Sequence, residues 1–204
     1  MKTFLRYLFA FCILVLTSET LFGQTNPAAQ ALPYTQAWGS AAFAAMPTGT
    51  AAWTTTFQST QAGAEASSPT GNATVTSKTA STTTGGVYGY AVSSNARLYI
   101  QSSSALTSQW ATAINTGAYT GVSLSYTIEM INAGTGRTMG IVVQYRAGTS
   151  GTWTTVSGSA VGYSNVSANG GDADALGDID TYSFSVTGLT PSTDYQFRWA
   201  VWNT

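Results

Sequence analysis

A cluster of carboxylates between residues 169 and 180 has the residue types and spacing that suit a calcium ion. Its members alternate with small residues and are Asp172, Asp174, Asp178 and Asp180. Ca²⁺ prefers hard oxygen ligands, which such a loop supplies, although no glutamate stands at the twelfth position as in an EF-hand. The alternative is a solvated turn whose side chains cap backbone amides. The sequence leaves both open, and calcium is the one cofactor it suggests.

A second candidate site consists of tyrosines that fall in predicted loops or near predicted strand ends. They are Tyr88, Tyr90, Tyr99, Tyr119 and Tyr163. Aromatic rings that are not needed in a core can stack on sugar rings, since each offers a flat apolar body with a polar tip. These tyrosines predict a platform for carbohydrate binding or adhesion, whereas most other aromatic residues alternate along strands and are expected in the core.

The chain lacks the residues that common catalytic sites require. The chain has no histidine and one cysteine, Cys12, so neither a Ser/His/Asp triad nor a Cys/His metal cluster can form. A glycosidase needs two carboxylates across a sugar ring, but Glu65 falls in a predicted loop, and Glu129 on a strand is expected to pair with Arg146 or Arg198. We therefore expect no enzyme, with a part of a secreted hydrolase as the third hypothesis.

The N-terminus has the organisation of an export signal. Lys2 and Arg6 precede an apolar run over residues 8–16 that is too short to span a bilayer. We predict a signal peptide over residues 1–23, a flexible leader over 24–31 and a secreted or outer-surface location with no membrane span. Since Lys2, Arg6 and Glu19 lie within the signal, 7 basic and 8 acidic residues become 5 and 7. With so few basic residues, the chain is not expected to have nucleic acid as a partner.

The rest of the chain reads as short alternating segments separated by Gly, Ser, Asn and Asp, the pattern of antiparallel strands. In the clearest segment the apolar residues Val122, Leu124, Tyr126 and Ile128 alternate with polar ones. Further strands are predicted near 52–58, 72–78, 86–91, 96–101, 107–115, 139–145, 152–156, 182–186 and 195–201. No helix is predicted after the signal. The expected architecture is one all-β domain over residues 32–204, an antiparallel β-sandwich, with Tyr126 and Trp199 in its core.

The order of several short motifs resembles a sandwich domain at the front of secreted Bacteroidetes proteins that use type IX secretion. Leu32-Pro33-Tyr34 opens the match, Met46-Pro47-Thr48-Gly49 precedes Trp53, and Tyr88-Gly89-Tyr90 and Leu124-Ser125-Tyr126 follow. The resemblance spans nearly the whole chain after the signal. It implies an exported jelly-roll-like sandwich that acts as an accessory module of a larger protein.

Residues 120–204 also resemble a fibronectin type III domain. The match is carried by Tyr182-Ser183-Phe184-Ser185-Val186, the turn Gly188-Leu189-Thr190-Pro191-Ser192-Thr193, and Tyr195 in the following strand. The resemblance implies a tyrosine corner, in which the Tyr195 hydroxyl bonds back to the turn backbone. Both families continue with one more strand, so residues 194–202 are expected to form an open edge or to pair with residues 32–38. An open edge would invite a strand-addition partner.

The sequence therefore predicts a secreted or cell-surface, non-enzymatic β-sandwich module for adhesion, matrix assembly or service as the front end of a larger exported protein. The alternative is a carbohydrate-binding module stabilised by calcium. In either case the expected partner is an extracellular glycan or protein.

Overall fold

The structure, a computed structural model, describes residues 24–80, 82, 84–92, 94–129, 138–164 and 180–203. Within these residues one short helix and thirteen strands occur. The helix is α1 (Gln61–Ala66), and the strands are β1 (Gln30–Ala31), β2 (Thr50–Thr56), β3 (Gly71–Asn72), β4 (Val75–Lys78), β5 (Gly86–Val92), β6 (Asn95–Gln101), β7 (Leu106–Asn115), β8 (Gly121–Ile128), β9 (Thr138–Ala147), β10 (Thr154–Thr155), β11 (Val161–Ser164), β12 (Asp180–Thr187) and β13 (Asp194–Asn203).

The all-β, mainly antiparallel sandwich expected from the sequence is confirmed. The main sheet has the strand order β10-β9-β13-β7-β2-β3, with β1 added beside β7 and β11 beside β9. A second layer consists of two smaller sheets, β8 with β12 and β4-β5-β6. In β8 and β12 the alternation of apolar and polar residues fixes the register, so that Tyr126 pairs with Tyr182 and Leu124 with Phe184.

Both smaller sheets cover the same face of the main sheet. Ala52, Trp110 and Trp199 follow one another across β2, β7 and β13 as register partners, and register partners share a face. Trp199 belongs to the core cluster packed against β8 and β12, while Ala52 packs against Val87 of β5. One wide sheet is therefore covered by two narrow ones.

The expectation that residues 194–202 form an open edge is wrong, and so is their pairing with residues 32–38. β13 lies in the middle of the main sheet, paired with β7 on one side and with β9 on the other. Its amide and carbonyl groups already have partners, so this strand offers no edge for strand addition. Residues 32–38 contain no strand. β13 also joins the two halves of the chain, because β7 belongs to the first half and β9 to the second.

The other face of the main sheet, here called the outer face, is covered by three short segments. Helix α1 lies in a stretch predicted as loop; Thr60 caps its N-terminus by accepting a hydrogen bond from Gly63 N, and its buried Ala64 packs on Val142, Ala200 and Trp202. Six residues are too few to show helical periodicity, which explains why the helix was not predicted.

The two other covers are the leader and the turn after β9. The segment predicted as a flexible leader is hydrogen-bonded to the sheet, since Trp53 Nε1 donates to Thr25 O over 3.0 Å and Gln196 Nε2 to Asn26 Oδ1 over 2.8 Å. Trp153 precedes β10 and packs edge to face on Trp53 at 6.4 Å between ring centroids. The main sheet is thus buried on both faces.

Candidate functional site

The structure gathers three of the predicted platform tyrosines into one cluster on the small sheet β4-β5-β6. The rings of Tyr88 and Tyr90 lie 5.8 and 5.6 Å from that of Tyr99. Tyr88 and Tyr90 are only 6% and 3% exposed. Their faces are therefore not open to a sugar ring, contrary to the platform expected from the sequence. The hydroxyl of Tyr88 donates to Thr84 O over 2.8 Å, so this ring also holds the preceding loop.

The remaining two platform tyrosines lie elsewhere. Tyr119 is 56% exposed in the turn between β7 and β8, where its amide donates to Thr116 O. Tyr163 pairs through its backbone with Met139 in the ladder of β11 and β9, and its side chain is outside the described part. The described rings do not form one platform, which leaves Tyr119 as a single exposed ring.

Three of the four predicted calcium ligands, Asp172, Asp174 and Asp178, lie outside the described residues. Asp180 begins β12 and pairs with Ile128 of β8. Among the residues that the structure describes, no group of three or more potential ligands could hold a metal ion. The calcium hypothesis therefore remains a prediction from the sequence.

The residues predicted to have structural roles do lie in the interior. The amide of Thr190 donates to the hydroxyl of Tyr195 over 3.1 Å, so the expected tyrosine corner is present. Trp199 is buried, and its ring meets the half-buried ring of Tyr126 at 90° with 5.6 Å between centroids. This contact joins the main sheet to the second layer beside a cavity.

A cavity of about 450 Å³ lies between the main sheet and the junction of the two smaller sheets. Trp110 and Trp199 form its floor. One wall comes from β6 and the other from β8, and the segment over residues 34–38 closes a side with Tyr34, Gln36 and Trp38. No lining residue of this cavity carries a charge. It is a concave, mostly apolar site with a few polar groups, the usual character of a small-ligand site.

Three buried polar atoms around this cavity have no hydrogen-bond partner among the described residues. They are the indole nitrogens of Trp110 and Trp199 and the hydroxyl of Tyr126. Buried tryptophan and tyrosine usually find a partner for these groups, and leaving a buried donor unpaired costs about 1–3 kcal/mol. These residues line the cavity, while the three polar atoms themselves are buried.

Three tryptophan rings line this cavity, two along its floor and one at its side. Trp110 and Trp199 lie 3.8 Å apart between centroids at 30°, and Trp38 stands at 62° to Trp110 over 5.9 Å. Trp38 is itself held by stacking on Phe43 at 5.5 Å. Burial, together with the neighbouring Tyr182, raises the pKa of Tyr126. The phenol therefore stays protonated, and able to donate, well above neutral pH.

A smaller cavity of about 130 Å³ adjoins the first and shares Leu98, Ile100, Ile128 and Ile141 with it. Glu129 lines its far side, and its carboxylate forms an ion pair with Arg97 of β6. The pairing expected from the sequence, with Arg146 or Arg198, is wrong. This ion pair links the two smaller sheets of the second layer.

Those two arginines instead lie together on the outer face. Arg198 is fully buried and donates to Gln144 Oε1 over 2.9 and 2.6 Å, to Gln109 Oε1, and to the carbonyls of Glu65 and Ser67. Burial and the charge of Arg146 lower the pKa of Arg198 to about 10. Because the two carbonyls belong to the end of α1, Arg198 fastens this helix to the sheet.

Trp153 covers both guanidinium groups. The central carbons of Arg146 and Arg198 each lie 4.3 Å from its ring centroid, a distance at which cation–π attraction is effective. Arg146 also donates twice to Gln196 Oε1, whose amide continues to Asn26. The cluster therefore connects α1, the leader and the turn before β10, and its hydrogen bonds indicate a structural role.

Sequence reasoning did not find the cavity residues as a site. Trp110, Trp199 and Tyr126 were placed in the core from strand alternation, while Trp38, Tyr34 and Gln36 fall in a segment without regular structure. One signal was available: tryptophans on two predicted strands bring indole N–H donors into a core that offers few acceptors.

Comparisons with protein-family models, with curated proteins and with solved structures each found no match for this chain. In the part of the chain that the structure describes, no helix is long and apolar enough to cross a membrane.

Proposed function

We propose that this protein is an exported, non-enzymatic β-sandwich module that binds an uncharged ligand in the aromatic cavity. Its biological setting would be adhesion, matrix assembly or service as the accessory front end of a larger exported protein. The observation that carries the proposal is a cavity of about 450 Å³ that is lined by Trp38, Trp110, Trp199 and Tyr126 and by no charged residue.

The walls of the cavity support binding more than packing. A side chain that serves only the core is expected to fill its space and pair its polar atoms, because interiors are close-packed. Here a space large enough for a small ligand remains unfilled beside three tryptophan rings and a tyrosine ring. The absence of charged lining residues favours an uncharged ligand, since burying an isolated charge is costly.

The sequence supports export and a non-catalytic role. A positively charged start followed by a short apolar run is typical of a signal peptide. The chain has no histidine for general acid–base chemistry, and the carboxylate nearest the cavity, Glu129, is paired with Arg97. A hydrolase that used Glu129 remains the competing hypothesis.

Thermal unfolding of the purified chain against a library of neutral sugars, aromatic compounds and alcohols tests the proposal. A ligand that binds only the folded state raises Tm, by an amount that grows with its concentration. We expect at least one neutral class to raise Tm, and Trp38→Ala to abolish the shift. Tyr119→Ala is the control, because Tyr119 lies in the turn between β7 and β8, outside the cavity lining.

Two results would refute the proposed function. One is a ligand effect that survives Trp38→Ala but disappears in Tyr119→Ala, which would place binding at the exposed turn. The other is turnover of a bound glycan that is lost in Glu129→Gln, which would establish a hydrolase.

A further inference from the structure

We infer that the ligand of the aromatic cavity is an uncharged amphiphile, a molecule with one linear hydrocarbon chain and a small neutral head such as a hydroxyl. This inference rests on the proposed function and names its ligand class. Three observations carry it: the polar atoms of the lining are buried or already bonded, the apolar side chains of the lining are left partly uncovered, and a second, smaller cavity with a mainly apolar lining adjoins the first.

The polar side chains of the lining have little hydrogen-bonding capacity left for a ligand. The hydroxyl of Thr112 donates to a backbone carbonyl over 2.9 Å. Gln36 accepts from the hydroxyl of Tyr34 over 2.8 Å, and its amide donates to a backbone carbonyl over 2.7 Å. Ser125 accepts from a serine of β12 over 3.1 Å, and both indole nitrogens of the floor are buried. A ligand rich in hydroxyls or amides would therefore lose its hydration without gaining matching partners.

The apolar side chains of the lining, in contrast, keep accessible surface. Seven of them are only half-buried, although interiors of proteins are normally close-packed. They are Trp38, Leu98, Ile100, Trp110, Leu124, Ile128 and Ile141. A hydrocarbon chain that covers these side chains gains free energy for every CH2 group that leaves water. The attraction that the lining offers to a ligand is therefore mainly apolar.

The space is long enough for a linear chain. On β8 the lining residues Leu124, Tyr126 and Ile128 share one face, and the stretch from the first to the third is about 13 Å long. An extended chain of about ten carbons has this length. The smaller cavity, of about 130 Å³, shares four aliphatic side chains with the first, and its lining also includes Met139 and Val201. Carbons beyond the tenth would enter this second space.

The head of the amphiphile belongs at the exposed side of the cavity. Thr35 and Thr127 line the cavity and are exposed, so their hydroxyls can meet both water and a ligand. No described residue that lines the larger cavity carries a charge, and Glu129, at the far side of the smaller one, is paired with Arg97. A carboxylate or ammonium head would therefore gain no counter-charge and would resist burial. A hydroxyl head suits this site.

Calorimetry and tryptophan fluorescence of the purified chain test the inference. The probes are the even-numbered 1-alcohols from hexanol to dodecanol, decanoate, decyltrimethylammonium and maltohexaose. Because each buried CH2 group tightens binding about 3- to 4-fold, affinity should rise by about tenfold for every two carbons from hexanol to decanol. Decanol should bind more tightly than either charged decyl compound by about tenfold or more, and maltohexaose should not bind.

Two variants locate the chain. Trp38→Ala removes an aromatic ring from a segment without regular secondary structure and should weaken decanol binding by about tenfold or more. Met139→Trp enlarges a side chain that lines the smaller cavity and not the larger one. It should leave the affinity for hexanol unchanged and remove the gain from decanol to dodecanol. Tyr119→Phe is the control that should change nothing, and far-UV circular dichroism and Tm verify that each variant is folded.

The outcomes separate the inference from the proposed function. An affinity that does not depend on chain length, or equal affinities for decanoate and decanol, would overturn the inference. If maltohexaose binds, sensitive to Trp38→Ala, while no alcohol does, the ligand class is overturned and the cavity remains the binding site. A folded Met139→Trp variant that keeps the gain for dodecanol would show that the chain does not enter the smaller cavity. If no probe binds or changes tryptophan emission, and the wider library of neutral compounds leaves Tm unchanged, both the inference and the proposed function fail.

Discussion

Replacing Arg198 by methionine should destabilise the protein by about 3 kcal/mol. Arg198 is fully buried and makes five hydrogen bonds to four acceptor atoms, on Gln144, Gln109, Glu65 and Ser67. Methionine fills a similar volume but leaves all four acceptors without this donor. At about 1–3 kcal/mol for each buried unpaired group, the gross loss lies between about 4 and 12 kcal/mol.

Two effects reduce that gross figure. The guanidinium loses its hydration on folding, a penalty of several kcal/mol that methionine does not incur. The end of α1 is also short enough to move and recover part of its hydration. Removing one partner of a buried charged network typically costs about 3–5 kcal/mol after such relaxation. We therefore expect a value near the lower end of that range.

Urea unfolding at equilibrium measures this loss as a decrease in the midpoint concentration at unchanged slope. Arg146→Met is the matched control, because Arg146 is half-buried and donates only to Gln196 Oε1; it should cost about 1 kcal/mol. Arg198→Lys keeps the charge but has three donors, so it should fall between the two. A loss below about 1 kcal/mol for Arg198→Met would refute the role of Arg198 in fastening α1.

Four further outcomes are expected. Tyr195→Phe removes the acceptor of the Thr190 amide and should lower the free energy of unfolding by about 1–2 kcal/mol, measured by urea unfolding. Gly140→Ala should cost about 3 kcal/mol, at the upper end of what overpacking typically costs, because the added Cβ would lie 1.9 Å from the Trp202 ring; unchanged Tm would contradict this packing. Folding raises the pKa of Tyr126, so above pH 10 the unfolded state binds fewer protons than the folded state and the free energy of unfolding falls with rising pH. Tyr126→Phe should reduce the slope of that fall by an amount that corresponds to up to one bound proton. Parallel curves of unfolding free energy against pH for the two proteins would contradict this. Millimolar calcium should raise Tm if the acidic cluster binds the metal, and an unchanged Tm in calcium against EDTA would reject it.

The sequence predicted the strands well because their information is local. In β8 the alternation of Val122, Leu124, Tyr126 and Ile128 was enough to set both the strand and its inward face. In β13, alternation places Gln196 and Arg198 on the face opposite the aromatic residues and says nothing about what covers that face. Both are buried. Gln196 accepts hydrogen bonds from Arg146, and Arg198 donates to Ser67 O at the end of α1. Local alternation cannot reveal a cover that comes from residues more than a hundred positions away.

The tyrosine platform failed for a related reason. Tyr88 and Tyr90 follow strict alternation in β5, and that alternation does not say whether the outward-facing side of a strand will be covered. Here both rings are buried against Tyr99. Tyr119 remained exposed because it lies in a turn, where the chain must run over the surface. Exposure is thus predictable for turns and unpredictable for strand faces.

The cavity itself follows from topology more than from any single residue. Six strands lie side by side in the main sheet, from β10 at one end to β3 at the other. The second layer is divided into one sheet of two described strands and one of three. Neighbouring strands in a sheet lie about 4.8 Å apart, and the two smaller sheets do not pair with each other, so the layer opens at their junction. Large rings on the floor and the Arg97–Glu129 ion pair span that opening without closing it. Strand alternation identifies Trp110 and Trp199 as inward-facing. Whether the strands above them pair with each other is decided by contacts between distant segments of the chain. The unpartnered indole nitrogens therefore become visible only once those pairings are known.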